Sequence, residues 1–191
     1  MKSMKRMIAF IVAMILCMSM LAACGGSNKD AASNDGEAAQ EEIKGEVFDA
    51  GNVSALVPKG WAAFPVSDIW SDEEGAMDPD QMNICKGGES DWDLLSKPYI
   101  AIIYYGEDED LFAPDSSWYD NPADIDDIKL SNLTWKGFTA DSLGVPMAIL
   151  WADDGAGNEY QANIVLKTDD SEISLDDTDV LAILESVKPS K

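Results

Sequence analysis

Residues 176–189 read DDTDVLAILESVKP. Val180, Leu181, Ile183, Leu184 and Val187 recur at helical spacing, which gives the segment one apolar stripe. Asp176, Asp177 or Thr178 supplies the N-cap, and acidic residues at the start suit the positive pole of the helix dipole. Lys188 suits the opposite pole, and Pro189 then stops the helix. Such a stripe needs a surface to cover. The segments before it have the period of strands.

Gly45-Glu46-Val47-Phe48-Asp49 and Val53-Ser54-Ala55-Leu56-Val57, joined through Ala50-Gly51-Asn52, read as a hairpin. Pro58-Lys59-Gly60-Trp61 ends it, because proline lacks a ladder donor and glycine permits the turn; Trp61 then folds back on the core. Residues 71–80 read as polar loop. Strand signals return at 81–86 and at 98–105, with a short helix at 91–95 between them. Residues 106–127 form the longest irregular stretch, and loops of that length are usually functional or mobile. Strands at 133–140, 145–152 and 159–167 follow, the last two joined by a turn at 153–158. The pattern predicts an α+β domain: an antiparallel β-sheet of roughly six to seven meandering strands packed by a C-terminal α-helix.

At the other end of the chain, Lys2, Lys5 and Arg6 precede an apolar run, IAFIVAMILCMSM, at 8–20. The run is shorter than the ~20 residues that span a bilayer comfortably. With small residues at a cleavage point, these features compose a secretory signal over 1–23. Leu21-Ala22-Ala23-Cys24, followed by Gly25-Gly26, resembles the lipobox of bacterial lipoproteins. The resemblance implies that the Cys24 thiol receives a diacylglyceryl group and that the chain is cut just before it. Two or more acyl chains then hold the protein stably where one is marginal. The expected place is the bacterial cell membrane, lipid-anchored, facing the extracytoplasmic side. Residues 24–44 are rich in small and acidic side chains and carry no aromatic. They cannot offset their ordering entropy and read as a disordered tether with an r.m.s. span of about 25 Å. A single domain at 45–191 remains.

Val57-Pro58-Lys59-Gly60-Trp61 and LAILESVK at 181–188 resemble the opening and closing motifs of PsbP-like domains. The resemblance implies the same α+β fold. It carries no functional residue over, since members of that group share no catalytic motif that can be placed on this chain.

Removing Lys2, Lys5 and Arg6 from the 13 basic residues leaves ten against 36 acidic ones, a formal charge of −26 for the mature chain. That sign excludes nucleic acid as a partner and leaves attraction to the membrane to the lipid alone. Cys17 departs with the signal and Cys24 is lipidated, so Cys85 is left without a disulfide partner and the core must hold the domain together. The chain has no histidine. Ser-His-Asp and Cys-His nucleophiles, H-E-x-x-H zinc sites and the usual general base are thereby excluded. Cys85, in a strand and without an imidazole, reads as a packed small residue.

Carboxylates are plentiful enough for a paired-acid glycosidase, but no spacing specifies one. The EF-hand pattern is missing at Asp153-Asp154-Gly155, where glycine comes too early, and a tight turn explains 153–158 without metal. The acidic runs at 107–110 and 124–127 suit weak divalent-cation binding without a preorganised cage. Trp61, Trp135 and Trp151 fall in or beside strand patterns and are expected to pack the core. Trp70, Trp92, Trp118 and Tyr119 lie among polar residues. They either tuck under their loops or form a candidate ligand surface for a sugar or a cationic peptide. Asn52-Val53-Ser54 and Asn132-Leu133-Thr134 match glycosylation sequons that the lipobox makes incidental. The sequence thus reads as a lipid-anchored extracytoplasmic binding or accessory module with no cofactor. The alternatives are a hydrolase using paired carboxylates and a purely structural envelope component.

Overall fold

The computed structural model describes residues 43–106, 109, 111 and 113–190. The signal at 1–23, the lipidated Cys24, nearly all of the tether and most of the acidic run at 107–110 lie outside the described residues. Among the described residues are eleven strands and one α-helix: β1 (Gly45–Asp49), β2 (Val53–Pro58), β3 (Trp61–Ser67), β4 (Met77–Lys86), β5 (Tyr99–Tyr105), β6 (Asp120–Asp124), β7 (Ile128–Lys129), β8 (Thr134–Ser142), β9 (Val145–Asp153), β10 (Glu159–Val165), α1 (Thr178–Ser186) and β11 (Lys188–Pro189). The expected α+β class holds, with antiparallel pairing throughout. Among the described residues no helix is long and apolar enough to cross a membrane.

The strands form two sheets. The smaller has the order β1-β2-β11, and the larger runs β3-β4-β5-β10-β9-β8-β6 with β7 beside β8. Two local meanders, β3-β4-β5 and β8-β9-β10, meet where Ile102 of β5 pairs with Ala162 of β10. One face of the large sheet carries Met82, Ile84, Ile100, Ile102, Trp135, Leu150, Tyr160 and Ile164 into the main core. Val180, Ile183 and Leu184 of α1 enter the same core, as do Val53 and Ala55 of β2. Period-two alternation sends each next residue to the opposite face.

Two tryptophans hold α1. Trp61 Nε1 donates to Asp179 Oδ2 at its start (3.1 Å), and Trp135 Nε1 donates to the Leu184 carbonyl near its end (3.3 Å). Asn132 Nδ2 donates to the Val187 carbonyl just beyond it (3.2 Å). The last carbonyls of any helix lack internal partners. Here side chains from the β7–β8 turn and from β8 supply some of the missing donors.

Besides the short β7, which the sequence reading did not contain, four elements depart from that reading, each for a physical reason. Trp61 begins β3 rather than folding back from a finished hairpin. Pro65 is tolerated there because β3 is an edge strand, and the register shifts between Pro65 and Val66. β4 starts at Met77, so Asp78-Pro79-Asp80 belongs to a strand and not to the loop. β6, with the sequence DNPAD, is wholly exposed at the far edge and has no apolar alternation to betray it. Finally α1 ends at Ser186, and Lys188 and Pro189 pair with Ser54 and Val53 of β2. The strand count therefore exceeds the six or seven expected.

Candidate functional site

The four aromatics singled out by the sequence are not brought together. Trp70 (89% exposed) stands in the β3–β4 connection, and Trp92 (75% exposed) in the 3-10 turn Asp91–Leu95 between β4 and β5. The ten residues of β4 separate these two ends by about 30 Å. Trp118 (60% exposed) precedes β6, the opposite edge of the sheet. Tyr119 is half-buried, its ring edge-on to Phe138 at 5.5 Å. Trp61 and Trp135 are core residues as expected. Trp151 is not: it lies on the other face of the sheet, half-buried and edge-on to Phe138 at 6.2 Å.

That other face is the surface on which function can be sought. Among the described residues no helix packs on it. The strand registers write it in rows. Gln81, Ile103, Gln161, Trp151 and Lys136 form one row across β4, β5, β10, β9 and β8. Phe64, Asn83, Ala101, Asn163, Ile149 and Phe138 form the next. Tyr99 lies opposite Cys85, and Tyr105 opposite Glu159, so one tyrosine stands at each end of β5. Four side-chain amides thus flank the small Ala101 and the half-buried Ile103. Gln161 Nε2 donates to Asn163 Oδ1 (2.9 Å), and Gln81 Nε2 donates to Asp78 Oδ2 (2.7 Å). The Asn83 side chain has no hydrogen-bond partner among the described residues.

Burial pushes the phenols of Tyr99 and Tyr105 above their ordinary value, with Cys85 and Glu109 adding to the effect. Both therefore remain neutral O–H donors. The connection from β5 to β6 limits this face on one side: the Leu111 amide donates to Glu159 Oε2 (2.8 Å), and Tyr119 covers Phe138. The β4–β5 connection limits it on another. Gly88 packs against Phe64 and Cys85, and Cys85 is fully buried. Burial pushes its thiol up, Asp93 adds to that and Lys97 opposes it, so Cys85 is a packed residue.

Asp93 organises this second boundary. It accepts the amides of Glu89 (2.8 Å) and Ser90 (3.0 Å) and lies 3.0 Å from Lys97 Nζ. Those contacts, the Glu89 amide foremost, lower its carboxyl from 3.8 to about 2. The stabilisation is fully present above the ordinary value and is lost as pH falls toward 2. Asp93→Asn is therefore expected to lower the melting temperature near neutral pH, with the gap to the parent closing near pH 2. Melting curves at the two pH values check this, and a gap undiminished in acid would contradict it.

The expected turn at 153–158 is present. Burial opposes the charge of Asp154, but Asn158 Nδ2 (2.7 Å) and the amides of Ala156 and Asn158 outweigh it and lower its carboxyl. Among the described residues no three acidic or cysteine side chains converge as a metal site. Asp93, Asp115 and Asp154, the described carboxylates with displaced pKa values, are all lowered. A general acid needs the opposite shift.

Fold and face together define a class: an α+β fold with one sheet face in its core and the other carrying amides and aromatic rings. Compared with protein-family models, with curated proteins and with solved structures, the chain matches none.

Proposed function

We propose that this protein is a lipid-anchored binding module whose second, partly buried sheet face takes a neutral, hydroxyl-rich ligand, a sugar by chemical class. One observation carries the reading. In a chain with 36 acidic residues, the two central rows of this face contain four amides and a tryptophan but no carboxylate; Glu159 enters only in the end row, opposite Tyr105. Amides offer a donor and an acceptor side by side, as sugar hydroxyls require. Aromatic rings supply flat apolar area with a polar edge. A cationic peptide would call for carboxylates in the same rows, so the sugar is the better fit. The anchor at Cys24 and the extracytoplasmic side of a bacterial membrane rest on residues 21–24 and their leader. Membership among PsbP-like domains rests on the two end motifs alone. Weak divalent-cation binding by exposed acidic loops belongs to the same proposal and is independent of the face.

A glycan panel probed with the folded protein tests the ligand class. Asn83→Ala, which breaks no internal hydrogen bond, is expected to weaken the best glycan about tenfold, equivalent to about 1.4 kcal/mol. The melting temperature should barely move. Binding that survives Asn83→Ala and Trp151→Ala unchanged, or binding of cationic peptides in place of glycans, would overturn the reading.

A further inference from the structure

We propose that the cleft between β1 and β3 takes the C-terminal segment of a partner polypeptide, about five residues long, as an added β-strand. This cleft is a different site from the amide-bearing face, and its occupant is independent of the sugar. Its basis is a set of main-chain groups that the strand registers leave unpaired. The Ala50 amide donates to the Val53 carbonyl (3.0 Å) and the Lys59 amide to the Lys44 carbonyl (3.2 Å). In that register the main-chain groups of Lys44, Glu46 and Phe48 face β2, and alternation turns those of Gly45 and Val47 to the open edge. On the other side of the cleft the Gly87 amide donates to the Gly60 carbonyl (2.7 Å). Ala62 and Phe64 are thereby committed to β4, and Trp61 and Ala63 turn their N–H and C=O groups outward. β1 and β3 are each the last strand of their sheet. Among the described residues no hydrogen bond meets the main chain of Val47 or Ala63.

The two open edges border one cleft of about 540 Å³, whose lining includes Val47, Phe48, Trp61 and Ala63. They also run the same way. Gly45 pairs with Pro58, just before the start of β3. The Asn52 amide donates to the Pro79 carbonyl (2.9 Å), where β4 flanks the end of β3. One strand antiparallel to both can therefore pair with both, and antiparallel ladders are the more stable kind. The five residues of β1 span about 17 Å, which sets the length of the segment. Sheet edges are ordinarily blunted by proline, charge or bulges. β6 has Asp120, Pro122 and Asp124 with a register shift, and β11 is two residues long with Pro189. The stretches beside the cleft, Gly45–Asp49 and 61–64, contain no proline and no register shift. Direction also sets the charge. An antiparallel segment ends beside Lys44 and Lys59, at the start of both strands. Neither lysine forms an ion pair among the described residues, and Glu46 is the one carboxylate among the residues lining the cleft. A free C-terminal carboxylate meets that local excess of positive charge, and apolar side chains at alternate positions meet the apolar lining.

The test uses the purified full chain and a library of five-residue peptides with free carboxyl ends and valine, isoleucine or leucine at alternate positions. The best binder is expected to slow amide hydrogen exchange at Val47 and Ala63 about tenfold. Amidating its C terminus should weaken it about tenfold, and so should Lys44→Gln combined with Lys59→Gln. Ala63→Pro removes one outward donor, as Pro65 already does two residues on. It should weaken the peptide by a similar factor and leave the melting temperature nearly unchanged. Should that variant fail to fold, exchange at Val47 and Ala63 in the parent decides the matter. Absence of binding across the library, binding without slower exchange at these two amides, or equal binding of the amidated peptide overturns the proposal.

Discussion

A chain truncated after Asp177 should not melt cooperatively. The cut removes Val180, Ile183, Leu184 and Val187, all buried in the main core. At about 1.5–3 kcal/mol each, their burial contributes on the order of 6–12 kcal/mol. That is comparable with the whole stability of a domain, roughly 5–15 kcal/mol. Polar groups lose partners at the same time. The Leu56 amide loses Ser186 Oγ (2.7 Å), and the buried Trp135 indole loses the Leu184 carbonyl. β2 loses β11 from its edge. Circular dichroism with a dye that reports exposed apolar surface reads the outcome: a broad, non-cooperative transition and strong dye binding. A truncated chain that melts cooperatively at the parent temperature would show that α1 is not part of the core.

The second large effect is expected at Trp135. Its side chain is fully buried and its ring lies 6.5 Å from that of Tyr160. Trp135→Ala combines the lost apolar contact with a cavity that the surrounding strands cannot collapse, costing about 3–5 kcal/mol. Trp135→Phe separates the two roles of the side chain. It keeps much of the ring but leaves the Leu184 carbonyl without its donor, which costs about 1–3 kcal/mol. Urea unfolding of both variants checks the order. If Trp135→Phe proves as stable as the parent, the indole hydrogen bond contributes nothing and the helix end is held by other contacts.

The candidate face was half legible. In 81–86 the amides Gln81 and Asn83 alternate with Met82 and Ile84, and in 160–164 Gln161 and Asn163 alternate with Tyr160, Ala162 and Ile164. Polar amides at period two opposite large apolar residues announce a strand with one wet face. That signal was available, whereas Trp70, Trp92, Trp118 and Tyr119 stood out only by local contrast with their polar neighbours. Local contrast says nothing of distance. Trp70 and Trp92 read as similar exposed aromatics and lie at opposite ends of one strand. Gly137 gave no warning either: a Cβ there would strike the Ile149 carbonyl of the next strand, a constraint that exists only once β8 and β9 pair.

The sequence by itself determined what local patterns encode: the hairpin β1–β2, the central strands β5, β8, β9 and β10, the turn at 153–158 and the apolar stripe of α1. Each is written within a few residues by alternation, turn chemistry or helical spacing, so no distant partner is needed to read it. Only the tertiary structure decided the remainder. β3, the start of β4, β6 and β11 carry proline or acidic residues that local pattern rejects, and they become strands because a neighbour supplies the ladder. β5 pairs with β10, and that contact across the chain sets Gln81 and Asn83 on either side of β5 from Gln161 and Asn163. α1 ends where Trp135 and Asn132 reach the carbonyls at its close, not where Lys188 and Pro189 would have stopped it. Pairing and capping between distant segments depend on which residues meet, and only the folded chain fixes that.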